Sequence, residues 1–224
     1  MKRYLEYIYD GKEGFTLAEV LITVGVIGVV AAMTIPTLML DYQRKVWEAR
    51  LKKSYSVTVN ACERMLVEEN VSASNETQLY ALYANGTPAE KNEAIRKYFK
   101  ILRDGYNHVP EEGQQSRGFL IALPDGADLY YSTVAATTQH GPELKFYVDV
   151  NGEKSHPNLA GRDVFEFSLD RNCSYTFTAA GASAAATDFN YVIENNWEIP
   201  ADGTYPTPAP TEAPTTAPTE PPTT

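Results

Sequence analysis

Between Phe15 and Leu40 the chain runs for 26 residues with a single charged side chain, Glu19. As an α-helix at about 1.5 Å per residue, this stretch is roughly 39 Å long, enough to cross a hydrocarbon core of about 30 Å with some tilt. Beyond Pro36 the pattern changes character without losing its helical period. Asp41, Arg44, Lys45, Glu48, Arg50, Lys52 and Lys53 now surround Trp47, Leu51, Tyr55, Val59, Cys62 and Leu66, which follow one another at spacings of three or four. That spacing is the mark of one buried helix face. The pattern predicts a single helix from about residue 15 to residue 69. Its first half, 15–40, is a membrane span, and its second half, 41–70, is an amphipathic spine whose stripe belongs to a core.

Downstream, Asn75 is placed to cap a short helix through Ala84, with Gly86 as its left-handed stop. Thr87-Pro88-Ala89-Glu90 reads as a capping box with proline in the first turn. The helix it opens has Ala94, Ile95, Tyr98, Phe99 and Leu102 on its apolar face and ends at Asp104-Gly105. Together these make residues 71–117 a helical insertion. From residue 118 the period shortens: strands at 119–123 and 128–133 flank the turn Pro124-Asp125-Gly126-Ala127, and a third strand at 144–150 stops at Asn151-Gly152. Residues 164–169 and 191–199 read as further short strands, while 179–186 is too small and flexible to assign. Strands set against the spine's stripe give an α+β fold, a long N-terminal helix packed on a small antiparallel sheet over 118–200. Residues 201–224, rich in Pro and Thr, cannot form a core and read as a disordered, extended tail, a plain spacer or a carrier of O-linked sugar.

Composition narrows the partners. The 224 residues carry a formal net charge of −10, which gives no long-range attraction to nucleic acid. The two cysteines, Cys62 and Cys173, suit one disulfide in an oxidising compartment or two buried thiols, and they have no metal spacing.

Glu19 is the costly feature. An ionised side chain within a transmembrane helix costs about 2.5–3.5 kcal/mol even on lenient insertion scales. A new amine on Phe15, one turn away or on a neighbouring copy, would offset it, because a charge pair at about 4 Å and an effective dielectric near 20 is worth roughly 4 kcal/mol. A conventional secretory cut at Val30-Ala31-Ala32 would instead leave Glu19 in the apolar core without purpose. Gly14-Phe15-Thr16-Leu17-Ala18-Glu19 followed by the long apolar run resembles the cleavage and N-methylation motif of type IV prepilins and of type II secretion pseudopilins. The resemblance implies a leader over 1–14, a cut between Gly14 and Phe15 by prepilin peptidase, methylation of the Phe15 amine, and a docking role for Glu19 in a growing filament. Gly28 and Pro36 fall where helices of this family loosen on assembly. The leader itself departs from the usual basic pattern, since Lys2, Arg3 and Lys12 are matched by Glu6, Asp10 and Glu13.

One segment offers a second kind of chemistry. Residues 149–165 gather oxygen side chains around Gly152 and Gly161 and look like a loop recurring in pseudopilin-like proteins, where such loops can hold calcium. Asp149, Asn151, Asn158 and Asp163 are the candidate ligands, because hard cations take carboxylate, amide and carbonyl oxygens. The order is wrong for an EF-hand, and Asx turns without metal are the other reading. No cofactor besides this calcium is expected. His108, His140 and His156 each lie beside turn residues, and Gly181-Ala182-Ser183-Ala184-Ala185 lacks the second glycine of a nucleophile elbow, so no enzyme is expected.

The resemblance implies a structural subunit of the bacterial inner membrane. It would be single-pass, with its N-terminus cytoplasmic and its domain periplasmic or extracellular, and it would enter a filament. Its partners would be copies of itself, other pilin-like subunits, prepilin peptidase, the inner-membrane assembly platform and membrane lipid, with no nucleic acid. A pseudopilin of type II secretion is the expected role. The alternatives are a minor pilin of an adhesive type IV pilus and a membrane-tethered ligand-binding module.

Overall fold

The computed structural model describes residues 14–107, 117–134, 142–155, 158–177, 182–201 and 205. The leader up to residue 13, the tail from residue 206, His108, His140, His156, Pro157 and Gly181 lie outside the described residues. The chain divides into two compact units, Met1–Val46 and Trp47–Thr224. One helix, α1 (Leu17–Glu68), runs through both, and Pro36 sits inside it.

In the first unit α1 is apolar and uncovered: Leu21, Ile22, Ile27, Leu38 and Leu40 all leave 60% or more of their surface exposed. It meets the length and hydropathy of a membrane span.

In the second unit α1 buries Leu51, Ser54, Thr58, Ala61, Cys62 and Met65, while Trp47, Tyr55, Val59 and Leu66 pack only partly. The contact line is therefore rotated by about one residue from the stripe of large apolar side chains. Small residues lie along the buried line, and the large ones flank it. Thr58 satisfies its buried hydroxyl on the Ser54 carbonyl at 2.7 Å. The helix ends in a Schellman turn. Asn70 takes a left-handed φ of 52°, and the Val71 N–H reaches the Leu66 carbonyl at 3.1 Å.

The insertion differs from expectation at three ends. Asn75 lies in a single 3-10 turn (Ser74–Glu76), and Thr77 caps α2 (Gln78–Asn85), its hydroxyl accepting from the Tyr80 N–H. Gly86 is extended, with φ −78°, because the chain passes straight into Thr87, the cap of α3 (Pro88–Tyr98). The expected capping box at α3 is present. This helix stops at Tyr98, short of Asp104-Gly105, and Leu102 is 65% exposed. The chain leaves the helix there to run along the sheet edge, where the Leu102 N–H donates to the Ala122 carbonyl and the Leu120 N–H to the Tyr106 carbonyl, both at 2.8 Å.

The sheet is an antiparallel meander, β1 (Phe119–Ala122), β2 (Asp128–Val134), β3 (Glu143–Asp149), β4 (Val164–Leu169) and β5 (Tyr175–Thr176), in that spatial order. Alternate residues of one face, among them Ile121, Leu129, Phe146, Val148 and Phe167, join the α1 core. On the other face Leu120, Ala122 and Tyr130 form a smaller buried cluster with Tyr147.

The strand expected at 191–199 is absent, and a helix, α4 (Ala184–Glu194), capped by Ser183, takes in residues 184–186 of the unassigned stretch and runs on to Glu194. Its residues Ala185, Phe189 and Val192 are buried at helical spacing, and Phe189 stacks on Phe167 at 5.0 Å between ring centroids. Tertiary packing has overridden the strand preference of Tyr191-Val192-Ile193. Cys62 and Cys173 are joined in a disulfide, with 5.7 Å between their Cα atoms, which ties α1 to the β4–β5 turn.

Candidate functional site

Two places gather the residues singled out above. The first is the start of α1. Gly14 has no atom near the position a side chain would take, and Phe15 is 89% exposed, so the bond between them is open to approach. Thr16 is the N-cap. The Glu19 N–H donates to the Thr16 hydroxyl oxygen at 3.2 Å. Glu19 Oε2 in turn accepts from both the Thr16 backbone N–H and the Thr16 hydroxyl, each at 2.8 Å. This is a capping box built on the same T-x-x-E spacing as Thr87 and Glu90, whose three distances are 2.8, 2.8 and 3.3 Å. The T-x-x-E spacing at residues 16–19 is itself the sequence signal for this box, distinct from the amine of Phe15 expected to offset Glu19. Two otherwise orphaned N–H groups of the helix start are satisfied, and part of the cost of the acid is met within the subunit. Gly28 and Pro36 both lie within continuous α1.

The second place is the β3–β4 loop. Asp149 ends β3, and its carboxylate is fully buried. Asp163 is also fully buried but is engaged on both oxygens: Oδ2 accepts from the Asn151 side-chain amide and the Asn158 N–H, both at 2.9 Å, and Oδ1 from the Leu159 N–H at 2.6 Å. The Asn158 side-chain amide donates to the Glu153 carbonyl at 3.0 Å. Because each asparagine spends its NH2 group on an acceptor, the identity of its other atom is fixed as oxygen. Asn151 Oδ1, Asn158 Oδ1 and both carboxylate oxygens of Asp149 are buried and accept no hydrogen bond. Arg117 stands 3.6 Å from Asp149 Oδ2. Burial first, and then the neighbouring Asp163 charge, push the Asp149 carboxyl up to about 7 against the pull of Arg117.

The four expected oxygen residues therefore divide. Asp149, Asn151 and Asn158 present oxygens without donors, and Asp163 is the fastening point that orients both asparagines. An all-oxygen set of this kind fits a hard divalent cation and offers nothing to a soft one. Among the described residues no three His, Cys, Asp or Glu side chains converge as a metal cluster, so such a site would lean on the two amides. Asp128, which the sequence reading took only as the start of a strand, lies beside this loop. It accepts from the Glu153 N–H at 3.0 Å, and burial raises its carboxyl. It also borders an open cleft shared with Arg103, Asn151 and Lys154.

The first site falls within a stretch that resembles a known motif. Residues 10–35 match the family model of the prokaryotic N-terminal methylation motif. No curated protein and no solved structure matches the chain. Over residues 10–35 the chain therefore carries the N-terminal methylation signature that is found in type IV pilins and pseudopilins.

Proposed function

We propose that this protein is a subunit of a short secretion filament of the pseudopilin type. In this reading prepilin peptidase cuts between Gly14 and Phe15 and methylates the Phe15 amine. The span over 15–40 then holds the subunit in the bacterial inner membrane with its domain on the far side. The assembly platform next draws α1 into a filament against copies of itself and other pilin-like subunits. The observation that carries this reading is an uncovered apolar helix whose single acid is already held at the helix start by Thr16. In a filament that acid meets the amine of a neighbour, and the apolar face exchanges lipid for other helices. The mature N-terminus by mass spectrometry tests it. Methylated Phe15 is expected, and an N-terminus at Met33 would sink the scheme. Short periplasmic filaments are expected on overproduction, whereas long surface fibres would move the role to an adhesive pilus.

The same subunit uses its β3–β4 loop as a calcium site, with Asp149, Asn151 and Asn158 as ligands and Asp163 as their support. Four buried oxygens without donors argue for it, since an unpartnered buried polar group is costly. Bound there, calcium supplies positive charge at the buried carboxylate. Millimolar calcium should raise the melting temperature of the wild type and leave that of Asp149→Ala unmoved. A wild type that ignores calcium removes the metal.

A further inference from the structure

The turn that carries Asn158 and Asp163 is gripped from outside by a residue far along the chain. The turn winds around the Leu159 carbonyl, which accepts from the N–H groups of Arg162 and Asp163 at 3.2 Å and of Val164 at 3.1 Å. Inside it, Asp163 holds Asn151 and Asn158. On its outer side the hydroxyl of Tyr205 donates to the Gly161 carbonyl, and the Tyr205 ring stands edge-on to Tyr191 of α4 at 5.3 Å. Asp188, one turn before Tyr191, closes over the same glycine. A side chain at position 161 would collide with both the Asp188 carboxylate and the Tyr205 ring, and Gly161 has a left-handed φ of 74°. Glycine is required there because two side chains occupy the space a Cβ would need. Behind this contact α4 is anchored in the core by Phe189 and Val192, so Tyr205 clamps the turn against a rigid element.

We propose that Tyr205 is a positioning residue for the calcium site, acting through Gly161 on Asn158 and Asp163; this rests on the calcium reading of the loop. A turn held on both sides presents its oxygens already ordered, and a cation then binds without the cost of ordering them. By linkage the effect is mutual: calcium that favours the ordered turn strengthens the hold on Tyr205 by the same factor. The C-terminal segment thereby senses the state of the loop.

The test uses the full chain in detergent micelles, titrated with calcium chloride in a calorimeter, for wild type, Tyr205→Phe and Tyr205→Ala. Tyr205→Phe keeps the ring against Tyr191 and removes only the donor to Gly161. It should weaken calcium binding about three- to tenfold, the loss expected from one ordinary hydrogen bond. Tyr205→Ala should weaken it further. Hydrogen exchange across β2 and β3 in the calcium-free protein should stay as in wild type for Tyr205→Phe. Affinities unchanged in both variants overturn the proposal, and so does a loss of affinity that comes only with a general loss of protection in the sheet. If the wild type binds no calcium, the calcium reading itself has failed. The clamp is then judged by exchange at the amides of residues 161–164 in calcium-free protein: faster exchange in Tyr205→Phe supports it, and equal exchange removes it.

Discussion

Glu19 and Asp149 are both carboxylates in surroundings that penalise charge, and the protein treats them in opposite ways. Glu19 lies in an apolar helix yet accepts two hydrogen bonds from Thr16, three residues away. Asp149 is sealed inside the domain, and neither of its oxygens accepts any. The first compensation is local and is complete as soon as one helical turn forms. The second acid is only partly offset, by Arg117 at 3.6 Å, and burial followed by the Asp163 charge pushes the carboxyl up to about 7. At the helix start the acid is held by its own first turn, through the bonds from Thr16.

The contrast breaks most visibly at Glu19. Glu19→Ala should still be cleaved and methylated, but filament recovered by shearing should fall by roughly tenfold or more, given a pair worth roughly 4 kcal/mol. Wild-type filament yield from this variant would end the assembly role.

Asp149 should show itself next, through pH. Its folded pKa lies above the unfolded value of 3.8, so in chelator its contribution to stability is fully present below about pH 4 and is lost as pH rises towards 7. The whole loss is on the order of 4 kcal/mol. Asp149→Asn should flatten that slope in thermal melts. Calcium should recover stability mainly near neutral pH, where the carboxylate is ionised. A slope that persists in Asp149→Asn assigns it to another group.

Thr16 separates the two functions of the helix start. Thr16→Val removes the hydroxyl and should lower filament yield less than Glu19→Ala does, with Thr16→Ser restoring it. Equal yields for valine and serine would mean that the cap does not prepare Glu19.

The smallest effect belongs to the matching box at α3, which faces water. Glu90→Ala or Thr87→Ala should cost about 1 kcal/mol in thermal unfolding and leave filament yield untouched. Any assembly defect there would blur the distinction between the two boxes.

Elements whose pattern spans many residues were legible in the sequence: α1 from its long run and its period, and β1 to β4 from alternation between turn signals. α4 was not, because Ala184-Ala185-Ala186 carries little pattern and Tyr191-Val192-Ile193 favours a strand in isolation. Its helix is decided by Phe189 and Val192 reaching the core together. At the β3–β4 loop the oxygen-rich composition singled out residues that the structure brings together, but not which of them hydrogen-bond to one another. Which oxygen finds a donor depends on distances between residues 151, 158 and 163, and these exist only once the loop is closed. Tyr205 lay beyond reach for the same reason, since its partner Gly161 is 44 positions earlier in the chain.

The disulfide has a mechanical meaning for any load applied along α1. Cys62 and Cys173 are 111 positions apart and close a covalent loop that contains α2, α3 and β1 to β4. When tension enters along α1 and leaves through the chain beyond residue 173, the force crosses the sulfur bridge and bypasses everything between. Strands β1 to β4 are thereby spared extension, and among the described elements traction falls on the helix before Cys62 and on β5, α4 and Tyr205.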